Sequence, residues 1–156
     1  KVQRMLPEVA CANSLCWSPD GTLLDFTDMP QGTIKAYPYN PLTAEIGEPH
    51  IFATLAEQPG LADGSVVDEE GYLWNAQWGG ARVVRYAPDG SIDRIIPLPV
   101  DNPTCLTFGG EDRDVLFITT AWWGLTEAQR QQQPLAGGLF ALKPGVRGQR
   151  EYRFKG

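Results

Sequence analysis

Apolar residues in this chain fall in short runs, alternating with polar ones, and each run is closed off by Gly, Pro, Asp or Ser. That period of two belongs to half-buried strands, and few windows hold apolar residues at the i, i+3, i+4, i+7 spacing of a helix. The pattern predicts strands over 14–18, 23–27, 33–39 and 49–53, with Pro19-Asp20-Gly21 turning the first into the second. A second set covers 65–67, 72–77, 81–86 and 91–98, turned at Asp68-Glu69-Glu70-Gly71 and Pro88-Asp89-Gly90. A third covers 105–108, 115–120 and 138–142, with Tyr152-Arg153-Phe154 as a last strand. Within it, residues 125–133 carry good helix formers behind Thr126-Glu127 and predict a short helix or lid over one end. Residues 2–6 read as the outer strand of a preceding unit.

The sets begin alike, at Ala12-Asn13-Ser14-Leu15-Cys16-Trp17, Ala62-Asp63-Gly64-Ser65-Val66-Val67 and Pro103-Thr104-Cys105-Leu106-Thr107-Phe108. Their starts near 12, 62 and 103 lie 50 and 41 residues apart. That is close to the roughly 40–50-residue period of a four-stranded propeller blade. The expected architecture is all-β, a β-propeller of which this chain supplies about three four-stranded blades. Nothing in the composition divides residues 1–156, so one propeller domain or half-propeller is expected.

A length of 156 residues suffices for a core without staples, and the three cysteines, Cys11, Cys16 and Cys105, are odd in number. They read as buried thiols in a reducing compartment, so a cytoplasmic setting is expected. The net charge of −6, with scattered Lys and Arg, argues against a nucleic-acid surface. No apolar run approaches the roughly 18–20 residues of a membrane span.

In a propeller the inner strands line a central channel, so matching positions at their starts converge on one axis. Asn13 and Asp63 hold such positions, and their side-chain oxygens are hard donors suited to calcium, magnesium or manganese, with zinc also acceptable. Taken singly, each also reads as a turn residue before a strand. Their common register favours a ligand role, whereas Thr104 in the third unit reads as a wall or hydrogen-bonding group. The acidic residues of the turns read as turn formers, and His50 as a loop or strand-edge residue without a nucleophile to serve. Trp17 and Trp74 read as core, while Trp78 and Trp122 are candidates to floor a sugar-sized pocket.

The segments Ala12-Asn13-Ser14-Leu15-Cys16-Trp17-Ser18-Pro19-Asp20-Gly21, Leu61-Ala62-Asp63-Gly64, Gly71-Tyr72-Leu73-Trp74-Asn75-Ala76, Gly79-Gly80-Ala81-Arg82-Val83-Val84-Arg85-Tyr86 and Ala136-Gly137-Gly138-Leu139-Phe140 together resemble the regucalcin/gluconolactonase/luciferin-regenerating-enzyme family. The resemblance implies a six-bladed propeller with one divalent metal on its axis, calcium first and zinc, magnesium or manganese as alternatives, hydrolysing sugar lactones or related esters. It makes Asn13 a metal ligand and Asp63 both ligand and general base. The chain corresponds to the family's C-terminal half; the metal-binding Glu and the substrate-contacting Arg and Asn of the other half have no counterpart here. Ser14 stands where Gly is usual, and Asp25 where an aromatic is usual.

Half a ring leaves hydrophobic blade faces to be covered, so the expectation is either a piece of a longer protein or a homodimer closing six blades about a twofold axis. In the dimer, both Asn13 and both Asp63 side chains would meet. The leading expectation for function is a metal-dependent lactonase acting on a small sugar lactone or ester. A non-enzymatic calcium- or ligand-binding propeller is the alternative, and a scaffold for protein partners the third.

Overall fold

The computed structural model describes residues 2–150. Three antiparallel sheets follow one another along the chain, as the repeat predicts. The first joins β1 (Ala12–Trp17), β2 (Leu23–Asp28) and β3 (Thr33–Asn40), with β5 (His50–Thr54) on the far side of β3 and the two-residue β4 (Glu45–Ile46) at its end. The second runs β6 (Leu61–Val67), β7 (Leu73–Trp78), β8 (Arg82–Tyr86), β9 (Ile92–Pro97). The third holds β10 (Pro103–Gly109), β11 (Val115–Thr120) and β12 (Leu139–Leu142). Each is a blade, and β1, β6 and β10 are neighbours at the inner edge.

Turn chemistry sets the hairpins. The Asp20 carboxylate accepts from the Ser18 hydroxyl at 2.6 Å, the Thr22 amide at 3.1 Å and the Thr22 hydroxyl at 2.9 Å, while Gly21 takes φ +69°. Gly90, at φ +81°, has a second constraint: a Cβ there would meet the Phe52 carbonyl oxygen, so this turn of blade 2 lies directly against the outer strand of blade 1.

Two cores fill the gaps between blades. Cys16, Ile34, Ala53, Leu55, Ala62, Val67, Leu73, Val84 and Tyr86 join blades 1 and 2, and Trp74, Ala76, Val83, Leu106, Leu116 and Ile118 join blades 2 and 3. Trp74 is fully buried and meets Phe108 edge-on at 6.0 Å between centroids. Its indole N–H donates to Asp68, which also receives Arg85 at 2.7 Å; Glu70 at 2.6 Å and Asp93 at 3.0 Å complete the guanidinium's partners. The Asp68-Glu69-Glu70 turn is thus a structural pin. Burial pulls the Arg85 guanidinium down, and the hydrogen bonds it donates to Glu70, Asp68 and Asp93 more than offset it.

Several expectations need correction. Residues 2–6 form no strand, because no described segment lies beside them to complete a ladder. β6 begins at Leu61 rather than at residue 65, since Leu61 and Ala62 pair with Trp78 and Gln77 ahead of an irregularity in the strand. Of the cysteines only Cys16 is buried; Cys11 precedes β1 and Cys105 lies on the innermost strand, so both are exposed here, and all three are free thiols. Trp17 is 37% exposed, because among the described residues no blade packs against its face of blade 1. The helix α1 (Glu127–Gln132) forms within the expected segment, closed by a capping box between Thr126 and Gln129. The last expected strand, Tyr152-Arg153-Phe154, lies outside the described residues.

Candidate metal centre and substrate mouth

All three inner strands carry an irregularity at their start. Pairing jumps from Asn13–Thr27 to Cys16–Asp25 in blade 1, from Ala62–Gln77 to Ser65–Asn75 in blade 2, and from Pro103–Thr120 to Cys105–Thr119 in blade 3. In each case an extra residue on the inner strand is left out of the ladder, the mark of a β-bulge. Asp63 and Thr104 lie in the bulge, and Asn13 immediately precedes it.

The bulges are stitched to one another. Ser14, at φ +56° and 1% exposed, donates its hydroxyl to the Asp63 carbonyl at 2.6 Å. The Ser65 hydroxyl donates to Ser14 Oγ at 2.9 Å, and the buried Asn75 amide donates to Ser14 Oγ, Ser65 Oγ and the Asp63 and Gly64 carbonyls. Two of those partners accept only, so they fix which end of the amide faces them, and among the described residues no donor reaches the buried Asn75 Oδ1. Gly64 comes so close to the third blade that a Cβ would stand 2.6 Å from Cys105 Sγ and 2.8 Å from Cys105 Cα.

The donor types fit a hard cation. The Asn13 amide nitrogen points at Cys11 Sγ (3.8 Å) and Met29 Sδ (3.9 Å), and its carbonyl oxygen is the other end of that amide. Burial pushes the Asp63 carboxyl up to about 6, with the Gly64 amide partly opposing. Their number is small: among the described residues no group of three or more His, Cys, Asp or Glu side chains gathers to hold an ion. A calcium shell of about six to eight oxygens needs donors beyond Asn13 and Asp63. Thr104 shares a 2.7 Å hydrogen bond with Thr119, in keeping with a wall residue.

The indoles stand at the same end. Trp78 ends β7 and packs on Trp123 at 6.0 Å, whereas Trp122 lies under the Arg130 guanidinium of α1 at 4.0 Å. Trp122 and Trp123 are 50% and 73% exposed. α1 is anchored through Gln133, whose side chain accepts from the Asp101 amide at 2.8 Å and donates to its carboxylate at 2.7 Å. The Ser14–Ser65–Asn75 network has no counterpart among the sequence expectations, although polar residues inside apolar strand runs were its signal.

Consecutive antiparallel blades whose first strands meet at an inner edge define a β-propeller. Residues 1–122 match the SMP-30/gluconolactonase/LRE-like region, and the chain belongs to that family. It is 41% identical over 151 residues to L-arabinolactonase of Azospirillum brasilense, covering 97% of this chain and 49% of the relative. The crystal structure of a calcium-binding protein, regucalcin, from Agrobacterium tumefaciens superposes with TM-score 0.93 at 34% identity, covering 99% of this chain and 53% of that one. A luciferin-regenerating enzyme superposes with TM-score 0.87 at 28% identity over 95% of this chain and 50% of its own. The chain spans about half the length of the relatives it matches. No helix among the described residues is long and apolar enough to cross a membrane.

Proposed function

We propose that the protein carrying this chain hydrolyses sugar lactones with the help of one divalent metal ion, held in this half by Asn13 and Asp63. The observation that carries the reading is the Ser14–Asp63 hydrogen bond, which ties the starts of two adjacent inner strands together and so fixes Asn13 and Asp63 relative to each other. The lactonase among the relatives supports the substrate class, and the calcium-binding regucalcin supports calcium as first choice, with zinc, magnesium or manganese as alternatives. A bound divalent ion would polarise the lactone carbonyl and ease ionisation of water. Asp63 would take the proton from the attacking water. Trp78 and Trp122 offer indole surface to a sugar at the same end.

The apolar face of blade 1, with Leu15, Trp17, Phe26, Tyr39 and Ile46 around a cavity of about 420 Å³, requires a cover. We infer three further blades, supplied by the same polypeptide or by a second copy of this chain about a twofold axis, and with them the remaining metal and substrate donors. Intact mass and light scattering on the natural protein separate these: a half-length monomer overturns both.

The functional test is lactone hydrolysis by the natural protein with and without chelator. Turnover that chelation abolishes and divalent ions restore is expected, and Asp63→Asn should lower it by about 100-fold or more. Chelator-insensitive turnover overturns the metal role. A second reading, a calcium-binding propeller without hydrolysis, draws on the calcium-binding relative; calorimetry would then find ion binding without turnover of any sugar lactone.

A further inference from the structure

At the end of the blades opposite Asn13 and Asp63, a cavity of about 430 Å³ opens between blades 1 and 2, bounded by the hairpin turns at Pro19-Asp20 and Glu69-Glu70-Gly71. Asp25 lies on its wall. It sits mid-strand in β2, paired with Cys16 on one side and Ala36 on the other, and Ala36 in turn pairs with His50. Residues directly opposite across a ladder share a face, so Cys16, Asp25, Ala36 and His50 all present their side chains toward blade 2. Ala36 is too small to fill the space between Asp25 and His50.

Asp25 is 6% exposed, yet among the described residues no hydrogen-bond donor reaches its carboxyl. The cavity is lined by Leu23, Phe52, Val67 and Leu73, and also by the polar side chains of Ser18, Asp20, His50, Glu69 and Glu70. Blade 2 gives the amide nitrogen of its own mid-strand polar residue, Asn75, four acceptors, whereas among the described residues Asp25 has no side-chain partner. The other carboxylates at the rim are partly committed, Asp20 to Ser18 and Thr22, and Glu70 to Arg85. Although Asp20, Glu69 and Glu70 also line the cavity, among the described residues no three such side chains gather closely enough to hold a divalent ion, and together with Asp25 they repel an anion. A single positive charge on an apolar body matches both the acid and its walls.

We propose that this inter-blade cavity is a binding site for a small primary amine with an apolar body, its ammonium group paired with Asp25 and its hydrocarbon packed on Leu23, Phe52, Val67 and Leu73. The site is independent of the metal centre. The groups facing Asp25 are the Cys16 thiol from β1, His50 from β5, and Asp20, Glu69 and Glu70 from the two turns. Burial pushes the Asp25 carboxyl up to about 7, so its charge develops across neutral pH and amine binding strengthens with it.

Calorimetry or amide NMR on the natural protein, with benzylamine as probe and benzyl alcohol as its uncharged control, tests this. Benzylamine should bind about tenfold or more tighter than benzyl alcohol, and Asp25→Asn should remove that advantage while Asp63→Asn keeps it. In the unmodified protein, benzylamine affinity should rise about tenfold between about pH 5.5 and about pH 8, a range in which the amine itself stays charged. Equal binding of the two probes, no binding of either, a pH-independent affinity, or full retention in Asp25→Asn each overturns the proposal.

Discussion

Ser14 donates its hydroxyl to the backbone carbonyl of Asp63 at 2.6 Å, joining the inner strand of one blade to that of the next. The bond holds although Ser14 adopts φ +56°, a conformation that disfavours any side chain with a Cβ. Ser14 therefore carries strain in exchange for a buried donor. Ser14→Ala keeps the strain and leaves the Asp63 carbonyl and Ser65 hydroxyl short of a partner, so it should cost about 1–3 kcal/mol. Ser14→Gly loses the same bonds but relieves the backbone by about 1 kcal/mol, so it should fall between Ala and Ser. Urea midpoints of the three proteins check the order; an alanine variant as stable as the parent contradicts it.

Gly64 is required by space. A methyl group there would stand 2.8 Å from Cys105 Cα, an atom that cannot rotate away. Gly64→Ala should therefore cost about 2–4 kcal/mol by forcing β6 and β10 apart. Adding Cys105→Ala removes the sulfur but leaves the Cα, so thermal melting of the double variant should show at most partial recovery.

Asp25 makes stability depend on pH. Its folded carboxyl titrates at about 7, above the ordinary 3.8, so the folded state holds this proton more tightly than the unfolded one. At pH below about 4 both states are protonated and nothing is lost. As pH rises from there through 7 the unfolded chain ionises first, and stability falls until the folded group ionises too. Asp25→Asn should remove that slope and raise stability at pH 8 by on the order of 3 kcal/mol, with little change at about pH 4. Denaturant unfolding at the two pH values measures this, and parallel profiles for both proteins count against it.

The blade order was legible because it is written locally. Turn residues such as Asp20-Gly21 and Asp89-Gly90 punctuate the chain, and alternating runs between them have one reading. The bulges were not legible: Leu61 and Ala62 look like loop residues until their pairing with Trp78 and Gln77 is seen. Asn13 and Asp63 stood out as candidates from their place in the repeat, and the structure sets them one step apart, Asn13 just before its bulge and Asp63 within its own. The Asn75 amide that binds beneath them could not, because its partners come from strands of two blades and Ser14 is 61 residues away in sequence. Trp17 misled for a related reason. Its apolar character promised burial, but among the described residues no blade packs against its face.

The bulges have an evolutionary consequence. Asp63 and Thr104 stand outside the ladder of backbone hydrogen bonds, while the residues on either side carry the pairing that defines each strand. On the proposed assignment, Asp63 is thereby kept apart from the residues that hold its sheet, whereas Asn13 stays in the ladder opposite Thr27. An acid can become an alcohol at such a position without rethreading a blade, and the frame already carries both, Asp63 in one bulge and Thr104 in another.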